Sequence, residues 1–412
     1  MEKRDKIFEL IKAEEDRQRE TLMLIPSENY ASKEVREAQG SVLNNKYAEG
    51  YPGRRYYQGN EIVDEIEQLA IDRAKELFDV PYANVQPYSG SPANTAVLLA
   101  LVNKGEKIMG MKLSAGGHLT HGHPISLSGK FFESVQFDVD ENGLIDYDQM
   151  IELAGKEKPK LIIAGTTAYP RILDWQKFRE AADAAGAYLL ADISHIAGLV
   201  VAGEHPSPVP FVDVIMTTTH KTLRGPRGAI LLVTKRGIDK DLDFARKIDR
   251  AVFPGVQGGP HMATVAGIAV ALRQARGADF QKYIKQVVEN AKVLSDELRN
   301  MKFELSTGGT DNHLMVVDLR NKNLSGKEAA VRLEEAGIVV NANAVPHDTN
   351  PPLNPSGIRL GTPAVSTRGM GEGQMKQIAK WMYLVITNNQ SIITNEVKQE
   401  VKNLCRRFPI PE

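Results

Sequence analysis

A chain of 412 residues is too long for one ordinary domain, and two domains, or a large one with a smaller companion, are expected. Apolar residues at 42% and charged residues at 25% are the balance of a globular protein. A formal net charge of −1 argues against a general electrostatic hold on nucleic acid or an anionic membrane, and the single cysteine, Cys405, excludes an intrachain disulfide and a Cys-based metal cluster.

The opening stretch, MEKRDKIFELIKAEEDRQRE, places Ile7, Phe8, Leu10 and Ile11 near one face of a helix. It lacks a long apolar core and carries too many acids for a transit peptide, so no targeting segment is expected. No run of about 18 apolar residues occurs, so no membrane-spanning helix is expected either. NKYAEGYPGRRYYQGN follows, punctuated by Gly50, Pro52, Gly53 and Gly59 and too irregular for the interior of a helix or strand. EIVDEIEQLAIDRAKELF is a strong amphipathic helix pattern.

From about Ala83 to Val233, short apolar runs alternate with helical patterns. KLIIAG leads to a helix at Asp174 to Ala185, then AYLLADIS and VDVIMTTT follow. This predicts an α/β domain with a mostly parallel sheet covered on both faces. Beyond about residue 275, a long helix, LMVVDLR, the helix GKEAAVRLEEAG, IVVNANAV and two more helices predict a smaller α+β domain. The expected division is therefore 1–52 as an N-terminal arm and helix making dimer contacts, 53–275 as the large domain and 276–412 as the small one.

Ligands of open α/β sheets sit at the carboxyl ends of the strands, and three polar clusters fall there. Ser89-Gly90-Ser91 opens a helix, where N–H groups and hydroxyls suit an anion or simply cap the helix. Asp192 and His195 follow AYLLA; the carboxylate could hold a cationic ring nitrogen, or the pair could belong to an ordinary helix start. Lys221 follows a buried-strand pattern in TTTHKTLRGPRG. A lysine there either snorkels to solvent or is desolvated into a nucleophilic amine. Phosphate cradle, ring-nitrogen carboxylate and Schiff-base lysine are together the main holds on pyridoxal phosphate. Their order suits an aspartate-aminotransferase-like fold.

TTTHKTLRGPRG resembles the cofactor-lysine signature of the serine hydroxymethyltransferase family. LIPSENYAS, NKYAEGYPGRRYYQG, VQPYSGSPAN, GGHLTHG, GGTDNHL and GIRLGTPA resemble further family blocks, in family order, from Leu22 to the last helix. The resemblance implies pyridoxal 5′-phosphate carried covalently on Lys221, with Asp192 on its pyridine nitrogen, His118 stacked on its ring and His195 near its phenolic oxygen. It implies Ser89, Gly90 and Ser91 around the phosphate, helped by Tyr47 and Gly259 of the neighbouring subunit, and Thr167, Thr218 and His220 among the cofactor's surroundings. Arg359 would clamp the amino acid's carboxylate, as a guanidinium does in a bidentate pair, with Ser27, Tyr47, Tyr57 and His195 nearby. Glu49 would be the acid/base group at the transferred carbon, and Asn343 a folate contact. The implied reaction moves the hydroxymethyl carbon of L-serine reversibly to tetrahydrofolate, giving glycine and 5,10-methylenetetrahydrofolate. A cytoplasmic homodimer or tetramer with a site shared between subunits goes with it.

Three positions depart from the family pattern: Thr167 stands where serine is usual, Ser194 where alanine is common, and Val256 where glycine is frequent. Thr167 keeps open an aldolase or α-methylserine-type reaction that needs little folate. A non-catalytic scaffold or RNA-binding relative would be expected to lack Lys221, Asp192 or Arg359, and all three are present. HLTHGHP offers His118, His121 and His123 to a metal, but no carboxylate or cysteine lies close in sequence to complete a zinc shell. Arg54, Arg55, Arg224 and Arg227 sit in glycine-proline settings that suit small anions or interface contacts better than nucleic acid. Cys405 fits a buried apolar position.

Overall fold

The computed structural model describes residues 5–388 and 390–411. The chain forms two compact units, one of residues 31–285 and one of residues 5–30 with 286–411. The second unit takes in the N-terminal helix Lys6–Glu20, which the sequence reading sets apart as an arm. The boundary at 285–286 falls inside the helix Ala278–Asn300.

In the 31–285 unit, seven strands form one sheet: β1 (Tyr82–Asn84), β2 (Lys107–Met111), β3 (Glu133–Phe137), β4 (Leu161–Gly165), β5 (Tyr188–Asp192), β6 (Val214–Thr218) and β7 (Ala229–Val233). Their spatial order is β1-β7-β6-β5-β4-β2-β3. Strands β2 to β6 pair in parallel, and β7 runs antiparallel to both of its neighbours. This is the mostly parallel α/β sheet that the alternating pattern predicts.

The strands carry almost unbroken apolar runs because both faces are covered. On one face Ile108, Leu161, Ile163, Leu190, Val214, Met216 and Leu231 pack with Ala93, Val97 and Leu98 of the helix Gly90–Leu101. Strand residues two apart share a face, so Asp192 and Thr218, which continue the Leu190 and Met216 rows, point toward the start of that helix. The intervening residues Met109, Ile162, Leu189, Ala191, Ile215 and Leu232 are equally buried on the other face.

Local signals deliver the strand ends. The Asp174 carboxylate caps the helix Trp175–Ala185 by accepting from the Gln176 and Lys177 N–H groups, and Gly186, at φ 68°, ends it in the left-handed region open to glycine. The chain then re-enters the sheet at Tyr188. The step from β2 goes outward to β3, whereas the step from β4 goes inward to β5. The crevice expected at such a reversal therefore lies at the carboxyl ends of β2 and β4. The GYPGRR segment, expected to be irregular, contains a minimal hairpin, Gly50–Tyr51 against Arg54–Arg55.

The other unit holds β8 (Glu304–Leu305), β9 (Leu314–Asp318), β10 (Asn341–Asn343) and β11 (Gly357–Gly361), in the antiparallel order β8-β9-β11-β10. Leu22–Met23 pairs in parallel with Ile338–Val339. Leu22, Leu24, Met315, Ile358, Leu360, Trp381 and Leu404 share one core, and Cys405 is buried in it. Arg368 ties the ends of two helices together. Its guanidinium donates to the carbonyls of Gln18, Arg19 and Thr21 at 3.0–3.3 Å and to those of Cys405 and Phe408 at 2.9 and 2.6 Å. Those are carbonyls that a helix end leaves without intrahelical partners. Among the described residues, no helix is long and apolar enough to cross a membrane.

Candidate active site

Asp192, the last residue of β5, is buried and holds four hydrogen bonds. Its Oδ2 accepts from Asn94 Nδ2 at 2.9 Å and pairs with His121 Nε2 at 3.0 Å; its Oδ1 accepts from the Ser194 hydroxyl at 2.6 Å and the Ser194 N–H at 3.1 Å. Burial alone would raise its pKa. The His121 bond and charge, with His118 and Ser194, outweigh burial and hold the carboxyl well below the usual range. Asp192 is thus a buried, ionised carboxylate at a strand end. Its role as a helix cap is excluded, since the helix Ala197–Ala202 starts at Ile196 without a side-chain cap. His195 is buried beside it, and its carbonyl accepts from Thr222 Oγ1 at 3.4 Å.

Lys221 lies in the turn that leaves β6. Its Nζ donates to Thr218 Oγ1 at 2.7 Å, so it does not simply extend to solvent. The turn is pinned by Thr219, whose N–H reaches the Gly228 carbonyl at 3.1 Å and whose hydroxyl reaches that of Pro226 at 2.6 Å. Arg224 takes a left-handed φ of 56° and lays its guanidinium over the Tyr283 ring at 4.0 Å. His220 is kept neutral: burial, then the charges of Lys221 and Arg227, bring its pKa down to about 3.

Ser89 precedes the helix Gly90–Leu101 in an extended conformation, and its hydroxyl makes no cap bond. Gly90 allows a close approach, because a Cβ there would stand 2.8 Å from Thr218 Cγ2 and force one of the two to shift. The helix start, Asp192 and the Lys221 turn therefore share one end of the sheet. At the β2/β4 crevice, Thr167 donates its hydroxyl to the Gly117 carbonyl at 2.7 Å, and its N–H reaches that of Gly116 at 2.7 Å. His118 Nδ1 lies 2.8 Å from Thr120 Oγ1, which also accepts from Asn94 Nδ2 at 2.9 Å. These two bonds tie His118 to the Asp192 cluster.

Tyr47, Glu49, Tyr57 and Gly259 form a second group in the same unit. The Tyr47 and Tyr57 rings are 4.9 Å apart, and a side chain at Gly259 would stand 3.2 Å from the Tyr47 ring. The charge of Glu49 raises the Tyr47 pKa. Tyr88 donates to the Gly259 carbonyl at 2.6 Å, next to Ser89 in sequence.

Arg359, Asn343 and Ser27 belong to the other unit. Arg359 Nε donates to Asn341 Oδ1 at 3.1 Å. Burial pushes its pKa down to about 10, which leaves it charged at neutral pH. Asn343 Nδ2 donates to the Ala344 carbonyl at 2.6 Å. The segment before Ser27 packs on the end of β11, where Gly361 N–H reaches the Leu24 carbonyl at 2.8 Å.

A family model for serine hydroxymethyltransferase matches residues 1–382. The serine hydroxymethyltransferase of Desulfotalea psychrophila is 53% identical over 406 residues, covering 98% of this chain and 94% of that protein. That of Acidothermus cellulolyticus is 54% identical over 413 aligned positions, covering 98% of this chain and 95% of that protein. The chain belongs to the serine hydroxymethyltransferase family. It is an enzyme with the family's function, serine hydroxymethyltransferase, and its α/β architecture is that of the family.

Sequence reasoning weighed His121 only as a metal ligand, read against that role, and did not connect it, Asn94 or Ser194 with Asp192. Among the described residues, no group of three or more His, Cys, Asp or Glu is arranged to hold a metal ion. Ser194 is only two residues from Asp192, within reach of a local reading, whereas His121 and Asn94 leave no local signal because they lie 71 and 98 residues away in sequence.

Proposed function

We propose that the chain moves the hydroxymethyl carbon of L-serine reversibly to tetrahydrofolate, giving glycine and 5,10-methylenetetrahydrofolate, with pyridoxal 5′-phosphate held covalently by Lys221. The observation that carries this is the buried, ionised Asp192 at the same sheet end as Lys221 and the uncapped Ser89. The donor set fits the cofactor: an anionic anchor for a protonated ring nitrogen, an amine for an aldehyde, and hydroxyls with helix N–H groups for a phosphate. When bound, pyridoxal phosphate supplies the electron sink for bond cleavage at the amino acid's α-carbon.

In this proposal Asp192 keeps a proton on the ring nitrogen by its negative charge. Ser89, Gly90 and Ser91 hold the phosphate through hydroxyls and backbone N–H groups. His118 covers the ring, and Thr167, His195, Thr218 and His220 line its surroundings. Arg359 binds the serine carboxylate as a paired fork, with Ser27, Tyr47, Tyr57 and His195 around the substrate. Glu49 exchanges a proton with the serine hydroxyl, and Asn343 contacts the folate. The unit of residues 31–285 carries the cofactor. Thr167 anchors its hydroxyl to backbone, a bond serine would make equally well, which favours the folate-dependent reaction over a folate-free aldolase.

The proposal includes a homodimer or tetramer in the cytoplasm, with Tyr47 and Gly259 serving a partner's site and the N-terminal segment making dimer contacts. Two features support association. The helix Lys6–Glu20 buries none of its residues and exposes Ile7, Leu10 and Ile11. Within 31–285, Val42, Tyr56 and Ile62 are more than two-thirds exposed, at 79%, 72% and 67%. Large exposed apolar patches mark interaction surfaces.

The test joins borohydride reduction with a serine-cleavage assay. Reduction of the protein mixed with pyridoxal phosphate should leave an adduct on Lys221 by peptide mapping, and serine cleavage should rise strongly with tetrahydrofolate. An adduct on another lysine, or cleavage indifferent to tetrahydrofolate, would overturn the proposal.

A further inference from the structure

We propose that Ser194 is a positioning residue for Asp192, and that its hydroxyl couples the carboxylate to the strand end that carries Lys221. This rests on the reading in which Asp192 holds the ring nitrogen of pyridoxal phosphate.

The Ser194 hydroxyl donates to Asp192 Oδ1 at 2.6 Å and accepts from the Thr218 N–H at 3.1 Å. It has one proton to give. The Met216 sulfur, at 3.6 Å, is the weaker claimant, so the proton belongs to the carboxylate. Thr218 in turn receives the Lys221 amine on its own hydroxyl at 2.7 Å. A continuous path thus runs from Asp192 through Ser194 and the Thr218 backbone to Lys221. All of it but Lys221 is buried, Asp192 and Ser194 at 7% exposure and Thr218 at 6%.

Geometrically, the hydroxyl extends the sheet past its end. The parallel pairing of β5 with β6 ends at Asp192 opposite Met216. One residue on, the Ile193 N–H reaches the Met216 carbonyl at 3.0 Å. The next β6 donor, Thr218 N–H, then meets the Ser194 side chain where a strand would offer a carbonyl. An alanine at this position would supply neither bond. Asp192 would lose its shortest hydrogen bond, and a buried N–H would lose its acceptor. Ser194 therefore does two things that alanine cannot: it stabilises the ionised form of Asp192, and it fixes that carboxylate against the β6 end.

The experiment compares Ser194→Ala, Ser194→Thr and Asp192→Ala with the parent protein. Ser194→Ala removes only the hydroxyl, and Ser194→Thr keeps it, so the pair separates loss of the two bonds from a general loss of stability. Two quantities are read without substrate: the Kd for pyridoxal 5′-phosphate, and the pH dependence of the visible absorption band of the cofactor-loaded protein. Ser194→Ala should weaken pyridoxal 5′-phosphate about ten-fold, equivalent to about 1.4 kcal/mol. It should also move the pH titration of the band by about half a unit or more. Ser194→Thr, which keeps the hydroxyl, should restore both. A Ser194→Ala protein within about two-fold of the parent in Kd, with an unmoved titration, overturns the proposal. So does a change confined to melting temperature, the signature of a merely structural serine. Asp192→Ala separates the two levels. If it alters both readouts while Ser194→Ala does not, the Ser194 role alone fails; if Asp192→Ala also leaves both unchanged, the ring-nitrogen reading fails.

Discussion

Gly90→Ala tests the close approach between the helix start and the Lys221 strand. A Cβ at Gly90 would stand 2.8 Å from Thr218 Cγ2, with Met216 Cε at 3.6 Å. Inserting a methyl into packed surroundings costs about 1–3 kcal/mol, while replacing a helical glycine by alanine returns roughly 0.5–1 kcal/mol. The single variant should therefore lose about 0–2.5 kcal/mol. Thr218→Ser removes the methyl that clashes and keeps the hydroxyl that receives Lys221 Nζ; alone it should cost about 1 kcal/mol for the lost buried group. In the double variant the clash is gone, so the two changes should couple by about 1–2 kcal/mol in the favourable direction. Urea unfolding of the four full-length proteins, followed by fluorescence in a Trp381→Phe background, reads this term, because Trp175 lies in the 31–285 unit and Trp381 in the other. Additivity within about 0.5 kcal/mol would refute the steric reasoning.

Arg359→Lys should weaken serine binding at least about ten-fold, or about 1.4 kcal/mol, since lysine cannot form a paired fork with a carboxylate; a binding titration with unchanged affinity would contradict the role. Arg368→Met removes five donors from helix-end carbonyls. It should cost about 3 kcal/mol, since bonds from a charged donor are worth about 1.5–3 kcal/mol each and water can reclaim some of the carbonyls; a loss under about 1 kcal/mol in urea unfolding would mean water replaces them all. His220 is held neutral by burial and by the charges of Lys221 and Arg227, with its pKa down at about 3. Unfolding raises that pKa toward the ordinary value near 6.5, so the unfolded chain binds the extra proton. The His220 contribution is fully present above about pH 6.5 and is lost as pH falls toward 3. His220→Asn should flatten the stability profile between about pH 6 and 4 by up to about one proton, and an unchanged slope would show that His220 is protonated in the folded state.

Lys221, Asp192 and Ser89-Gly90-Ser91 could be picked out in the sequence because strand ends and helix starts are written in short stretches. The alternation of KLIIAG, AYLLADIS and VDVIMTTT announces both the parallel sheet and the edge at which chemistry gathers. Two local alternatives were undecidable at that level. Whether Asp192 caps a helix depends on where the next helix starts, and it starts at Ile196. Whether Lys221 snorkels depends on an acceptor, and Thr218 provides it. HLTHGHP sets three histidines together with no carboxylate or cysteine beside them in sequence, which weighs against a metal; what the sequence leaves out is that His121 pairs with the remote Asp192 carboxylate.

What this sequence determines alone is a periodicity: β-rich runs and amphipathic helices that must bury two faces of a sheet, with polar residues at the ends of the runs. That information is local, because the repeat of a strand or helix is set by its own backbone. The His121 and Asn94 bonds to Asp192, the packing of Tyr47 on Gly259 and the five carbonyls gathered by Arg368 are decided by tertiary structure. Each depends on segments remote in sequence meeting in space, and the strength of a hydrogen bond or the pKa of a buried group depends on that meeting rather than on residue type.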